Sequence, residues 1–304
     1  MTVPALLPLL RELNDLKRIR AAGRAGSVAE RLFLRSWARL VVGDDLRAVA
    51  LSETACAVAA ARLAGIDAGV LAEGGMAPAD GLAVLQAGFA AIAGPLDPAL
   101  AADLRAALAP APEAAHAFRP EFARLLAAQP RAGATRPGHR RVVLEPAESH
   151  AEHCAIVAVY GVLVAPLSGA EPGGVFLSGL SHHLHNAYLP DAGDAGDVLL
   201  GDRLKPLMET FRAKSLAELP RALAASARAS LDSVFRSDTP ASQAFQTADV
   251  LDRVLEMEWH ANSAAFTLGV ALDDMDIVHP GPVQAFQLQV MRSAGLMPLE
   301  SAPA

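Results

Sequence analysis

Histidines are concentrated in the segment LSGLSHHLHNAYLPD, residues 177–191. His182, His183 and His185 fall within four positions there, in a chain that has nine histidines in all. On a helix, His182, His185 and Asn186 would share one face, with His183 turned about 100° away. Imidazole groups inside an apolar segment need hydrogen-bond partners or a ligand. The spacing therefore indicates a metal site, a catalytic site, or a core helix whose histidines satisfy one another.

Two other segments carry side chains that bind metal ions. The phrase ESHAEH places His150 and His153 one turn apart at a predicted helix start. Farther along, AFQTADVLDRVLEMEWH contains Asp249 among apolar residues, with Asp252 three positions on. A metal centre needs donors that converge from different elements, and histidine nitrogens and carboxylate oxygens are such donors. Taken singly, His153 is also explained as a helix cap and Asp249 as a surface acid.

The elements that would position these side chains are predicted to be helices. Hydrophobic residues make up 52% of the chain. They are mostly Ala, Leu and Val, without the alternation typical of strands. We therefore predict an all-α fold. Helical patterning extends over 5–19, 27–42, 46–64, 81–93, 118–128, 149–165, 174–188, 202–213, 216–235, 240–260 and 281–293, with a loop at DAGDAGD between 188 and 202.

The chain is predicted to have two helical regions joined by a connection rich in Pro and Ala. The predicted boundaries are 1–108 for the N-terminal region, 109–138 for the connection and 139–304 for the metal-binding domain. The pattern leaves open whether 1–108 is a separate domain or part of one helical body. The N-terminal region also looks like a degenerate copy of the second. The overlays are 17–41 on 139–163 and, after a four-residue insertion, 51–63 on 177–189.

Composition narrows the classes of partner and the environment. The net charge of −7 and the lack of a dense basic run argue against nucleic acid as the main partner, whereas a small phosphorylated molecule needs only one or two arginines. The two cysteines, Cys56 and Cys154, form no CxxC pair, so a reducing, cytoplasmic location is expected. The longest apolar run, 155–167, is too short for a membrane span, and the N-terminus lacks signal-peptide features.

The order of the metal-binding residues resembles that of the HD-domain metal-dependent phosphohydrolases, and most closely their 5′-deoxynucleotidase-like branch. ESHAEH (148–153) is similar to that branch's ES-x-x-EH phrase, VFLSGLSHHL to its His-led doublet, and TADVLDRVLE (247–256) to the phrase with its last aspartate. The likeness covers about 139–260. It implies an HD-domain-like helical bundle. The implied metal ligands are His153, His182, His183 and Asp249.

The same resemblance suggests further site residues, and it has two departures. Arg140 matches a basic residue near the phosphate, and Asp191 an acid beside the substrate. The family doublet is His-Asp, but here it is His182-His183, and Asn186 stands where the branch has a glutamate. Three histidines and one aspartate favour Zn²⁺, Fe²⁺ or Co²⁺ over Mg²⁺, with Mn²⁺ as a further candidate.

Two functional hypotheses follow from these departures. In the first, the protein is a metal-dependent phosphohydrolase of a small phosphomonoester, such as a nucleotide. Because Asn186 cannot accept a proton, His185 or Asp191 would act as the general acid or base. Arg140 and Asn186 would bind the substrate. In the second, the protein is a degenerate HD-fold module that binds a ligand or another protein, for example as a homo-oligomer through Ala/Leu-rich helices. A core whose histidines satisfy one another is the third interpretation.

Overall fold

The computed structural model describes residues 2–108, 119–132, 144–233 and 238–263. These residues are mainly helical, as the sequence predicted, with one small antiparallel sheet of β1 (Arg20–Ala21) and β2 (Arg24–Ser27). The helices are α1 (Val3–Asn14), α2 (Val28–Val41), α3 (Leu46–Leu63), α4 (Ala68–Glu73), α5 (Pro78–Ala90), α6 (Pro98–Ala107), α7 (Glu121–Ala128), α8 (His150–Ser168), α9 (Pro172–Ser181), α10 (Gly193–Leu200), α11 (Leu204–Leu216), α12 (Arg221–Ser233) and α13 (Pro240–Ser263).

Two serines begin the helices at the centre of the fold. Ser27 precedes α2 and its hydroxyl accepts a hydrogen bond from the Glu30 N–H. Ser149 precedes α8 and forms a capping box with Glu152, in which each side chain bonds the other residue's backbone. The predicted internal overlay places these two caps on one another. This agreement supports a duplication, which stays a prediction.

Four helices surround the centre of the core. Helix α2 packs against α8, and α3 packs against α9. In addition, α2 packs against α3, and α8 packs against α9. Helix α8 is long and apolar enough to span a membrane, yet 83% of the stretch is buried inside the protein. Burial of this kind is expected of a core helix, whose surface is apolar all round.

The chain divides into two compact units, residues 1–255 and 256–304. In the first unit, helices from both sides of the predicted 109–138 connection contribute to one hydrophobic core, as Phe33 in α2 and Phe176 in α9 illustrate. Of the second unit, the structure describes residues 256–263, which end α13. The predicted helix at 281–293 lies outside the described residues.

Two predictions about local structure around the histidine cluster were wrong. The helix predicted to run to residue 188 ends at Ser181, and Leu184–Ala187 form a 3₁₀ turn instead. This turn is held from outside, because the buried Ser215 hydroxyl donates to the Leu184 carbonyl. The predicted loop at DAGDAGD contains α10. Its helical start is favoured by Asp194 in the first turn.

Candidate metal centre

His153 lies in the first turn of α8, where the Ser149 cap fixes the helix start, and its side chain is fully buried. Its Nδ1 atom is 2.7 Å from Oδ2 of Asp252. The Arg131 guanidinium also lies 3.0 Å from Nδ1 and can only donate, but the carboxylate is closer and can only accept, so we assign the hydrogen to Nδ1. The Nε2 atom of His153 therefore has a lone pair available for a cation whenever the ring is neutral.

His182 follows α9 directly and meets His153 across the packed helices. Its Nδ1 atom donates to the Gly179 carbonyl at 2.8 Å, so the neutral ring also presents the lone pair of Nε2. The two Nε2 atoms are 3.0 Å apart. Two lone pairs facing each other at that distance repel unless a proton or a metal ion lies between them. The pair is therefore arranged to hold a cation.

Asp249 in α13 completes a triangle of donor atoms. Its Oδ1 is 3.5 Å from His153 Nε2 and 3.9 Å from His182 Nε2. Ligand atoms about 2.05 Å from a tetrahedral zinc ion lie about 3.3 Å from one another. The edges of the triangle, at 3.0, 3.5 and 3.9 Å, bracket that value. These three side chains thus fit a divalent metal ion with only small adjustments.

His183 lies beside the triangle because the chain leaves the α-helix at this point. Its ring centroid is 4.3 Å from that of His182, and one ring nitrogen lies within 4.8 Å of the ligand nitrogens of His182 and His153. Its Nδ1 is 2.8 Å from Oδ1 of Asn186, whose amide group donates to the Leu189 carbonyl. Asn186 thereby holds His183 as the Nδ1–H form, with Nε2 available as a donor.

The pKa values at the centre shift in opposite directions. Burial and the positive Arg131 act to lower the pKa of His153, but hydrogen bonds with Asp249 and Asp252 outweigh them and raise it. Burial lowers the pKa of His182 to about 3, assisted by the charge of His153. Burial acts to raise the pKa of Asp249, but the hydrogen bond and the positive charge of His153 outweigh it and hold this pKa well below its usual range. At neutral pH, therefore, Asp249 is ionised, and His182 is a neutral imidazole that can act as a metal ligand.

The two predicted catalytic residues are Asp191 and His185, and the His185 ring centroid is 5.8 Å from that of His183. Asp191 accepts hydrogen bonds from the backbone N–H groups of Ala132 and Gly193. Burial, together with the charge of Arg212, lowers the pKa of His185 to about 4, and its Nδ1 has no hydrogen-bond partner within the described part of the chain. Both side chains line the same cavity as His182, so the structure brings these predicted residues together.

His150 belongs to the same cluster of histidines, although the sequence predicted no specific role for it. The side chain is fully buried, and its Nε2 is 3.5 Å from Oδ2 of Asp191. Neither ring nitrogen has a hydrogen-bond partner among the residues that the structure describes. Burial and the charge of Arg131 lower the pKa of His150 to about 2, so this imidazole is neutral.

A second group of charged side chains surrounds the Nδ1 side of His153. Glu148 and Asp252, with His153, form a further set of closely spaced donor atoms. The Lys17 ammonium contacts both carboxylates, and Arg131 pairs with Glu148 at 3.1 Å. The spacing after Asp249 pointed to Asp252, but no local pattern marked Lys17 or Arg131 as part of the site.

The centre opens into a cavity of about 470 Å³. Its polar lining includes His182, His183 and Asp249 of the candidate centre and the side chains of Arg131 and Arg253. The apolar part of the lining consists of Leu189, Pro190, Leu200, Leu204, Met208 and Phe245. The cavity therefore suits a ligand that has both an anionic and an apolar part.

The chain matches no protein-family model, no curated protein and no solved structure. The likeness to HD-domain phosphohydrolases therefore stays a prediction. Arg140, predicted to hold the phosphate, lies outside the described residues. Arg131 and Arg253 are the described arginines that line the cavity, and sequence reasoning had singled out neither.

Proposed function

We propose that the protein is a metal-dependent hydrolase of small phosphomonoesters, such as nucleotides. The observation that carries the proposal is the triangle of donor atoms from His153, His182 and Asp249, with His183 alongside. Bound there, Zn²⁺, Fe²⁺, Co²⁺ or Mn²⁺ would supply a Lewis acid for a phosphate group. The cytoplasmic location and the lack of a nucleic-acid partner remain expectations that accompany this proposal.

The residues around the centre have complementary tasks in this proposal. Arg253, whose guanidinium is 3.1 Å from Asp249 Oδ2, binds the phosphate from the open side, and Arg131 contributes positive charge from within the cavity. The apolar side chains that line the cavity pack against the organic part of the substrate and exclude water. Asp191, held by two backbone N–H groups, stays oriented to accept a proton at the cavity surface.

One observation favours a second candidate, a ligand-binding module without turnover. Asn186 holds His183 through its amide oxygen and donates to the Leu189 carbonyl, and an amide cannot accept a proton as a carboxylate would, so no general base stands at this position. Asn186 also lines the cavity, so its predicted role in substrate binding stays a prediction. A module of this kind would retain the cavity but would hydrolyse no phosphomonoester, and it would not need a metal ion.

The first test is metal content, followed by turnover. The untagged protein would be stripped with a chelator, incubated with Zn²⁺, Mn²⁺, Fe²⁺ or Co²⁺, and measured by elemental analysis. We expect about one metal ion per chain in the wild type and in His260→Ala, a histidine outside the cluster. We expect loss of the metal in His182→Ala and in the near-isosteric Asp249→Asn, with folding checked by circular dichroism.

Phosphate release from a panel of phosphomonoesters then separates the two candidates. Turnover that disappears in His182→Ala would support the hydrolase. Stoichiometric metal without turnover of any tested ester would favour the binding module. A folded wild-type protein that retains none of the four metals would refute the hydrolase and leave a metal-free binding module.

A further inference from the structure

Lys17 reaches the centre from the N-terminal region, outside the part of the chain that resembles the HD family. It ends a 3₁₀ turn, Asp15–Lys17, that follows α1. Its side chain is only 2% exposed. A buried ammonium group loses its hydration, which is costly unless anionic partners replace the water.

The ammonium group of Lys17 joins two buried carboxylates. Its Nζ is 2.5 Å from Oε1 of Glu148 and 2.7 Å from Oδ1 of Asp252. The other oxygen of Asp252, Oδ2, accepts the hydrogen bond from Nδ1 of His153. An ion pair between Lys17 and Asp252, followed by a hydrogen bond between Asp252 and His153, therefore connects Lys17 to His153.

This path decides which nitrogen of His153 faces the other metal-binding side chains. Asp252 has a fully buried side chain, so its orientation depends on the groups that contact its two oxygens. With Oδ1 held by Lys17, Oδ2 remains directed at His153 Nδ1, and Nε2 is directed at His182 and Asp249. The ammonium also supplies the positive charge that the paired carboxylates of Glu148 and Asp252 require in a buried setting.

We propose that Lys17 is a positioning residue of the metal centre, acting on His153 through Asp252. The inference depends on the proposed metal site. It assigns part of the N-terminal region to function, because the segment after α1 supplies a charge that the centre needs. Lys17 does not contact the metal or the substrate.

The test is a double-mutant cycle on metal affinity. The dissociation constant for Co²⁺ would be measured by absorption titration of the chelator-treated full chain, with circular dichroism and thermal melting to show that each variant is folded. We expect Lys17→Met to weaken binding about 10- to 100-fold, as is typical when a group supporting a metal ligand is lost. Lys205→Met, which removes an exposed lysine, should leave the affinity unchanged.

Asp252→Asn provides the second side of the cycle and replaces the first variant if Lys17→Met does not fold. We expect it to weaken binding to a similar extent. Adding Lys17→Met to it should change the affinity less than twofold, because the path is already broken. The role of Lys17 would be overturned, with the metal site left intact, if a folded Lys17→Met or Asp252→Asn protein bound Co²⁺ with unchanged affinity. Fully additive losses of Co²⁺ affinity in the double variant would overturn it as well. A wild-type protein that binds no Co²⁺ would instead refute the proposed site itself.

Discussion

Gly179 of α9 lies directly on the backbone of Ala158 in α8. A Cβ atom at Gly179 would be 2.4 Å from Ala158 Cα, closer than real Cβ atoms approach other atoms. The Gly179 carbonyl also accepts the hydrogen bond from His182. This close approach of two helices brings His182 next to His153, so packing in the core and geometry at the candidate centre depend on the same residue.

Gly179→Ala is expected to destabilise the protein and weaken metal binding. The new methyl group meets backbone atoms that cannot rotate away, so the two helices must separate, at a cost of about 1–3 kcal/mol or more. Gly174→Ala in the same helix is the matched control. Its Cβ would meet only a flexible Glu171 oxygen at 3.8 Å, so it should be neutral or stabilising by about 0.5–1 kcal/mol. Urea unfolding of both variants measures the difference, and equal stabilities would contradict the packing argument.

Asn186→Leu is expected to lower metal affinity about tenfold without loss of the fold. The substitution removes the acceptor for His183 Nδ1–H, so the His183 ring is no longer held beside His182. Titration with Zn²⁺ against a competing chelator measures the change. Ser178→Ala is the control, because within the described part of the chain its hydroxyl bonds the Gly174 carbonyl of the same helix. An unaltered affinity in Asn186→Leu would show that His183 does not need this support to bind metal.

His150 is expected to make the metal-free protein less stable in mild acid. Its pKa is about 2 in the folded protein against 6.5 in the unfolded chain, so between these values only the unfolded state binds the proton. Stability from this group is complete above pH 6.5 and falls as the pH drops, by about 2 kcal/mol at pH 5.

The measurement is urea unfolding at pH 8 and pH 5 in the presence of a chelator. From pH 8 to pH 5, the free energy of unfolding of the wild-type protein should fall by about 2 kcal/mol more than that of His150→Leu, since the variant lacks the titrating ring. Equal losses in the two proteins would show that the imidazole of His150 is not kept neutral by burial.

Arg253→Gln is expected to raise the KM for the phosphomonoester at least about tenfold, because a charged hydrogen bond to phosphate contributes about 1.5–3 kcal/mol. This prediction depends on the proposed hydrolase function. Steady-state kinetics with the best substrate from the panel would measure it, alongside metal content. Arg228→Gln changes an exposed arginine of α12 that does not line the cavity and should leave KM unchanged. An unchanged KM in Arg253→Gln would remove Arg253 from the phosphate-binding role.

Local signals predicted α8 closely and failed at the end of α9. Ser149 and Glu152 form a capping box that is visible in the sequence, so the start at His150 agreed with the prediction to within one residue. After Ser181, Leu184 and Ala187 continue a helical spacing of apolar residues, which is why a longer helix was predicted. The distant Ser215 bonds Leu184 and holds a 3₁₀ turn there, and no local pattern reports that contact.

The amino-acid sequence by itself determined the all-α class and the kinds of donor atoms at the candidate site, because helix propensity, capping and residue type are local properties. Only the tertiary structure decided which donors meet. Asp252 reaches His153 across 99 positions of sequence, and Lys17 joins them from the opposite end of the chain. Such convergence depends on how buried helices pack, at contacts like that of Gly179 with Ala158, and therefore has no signature within a short stretch of sequence.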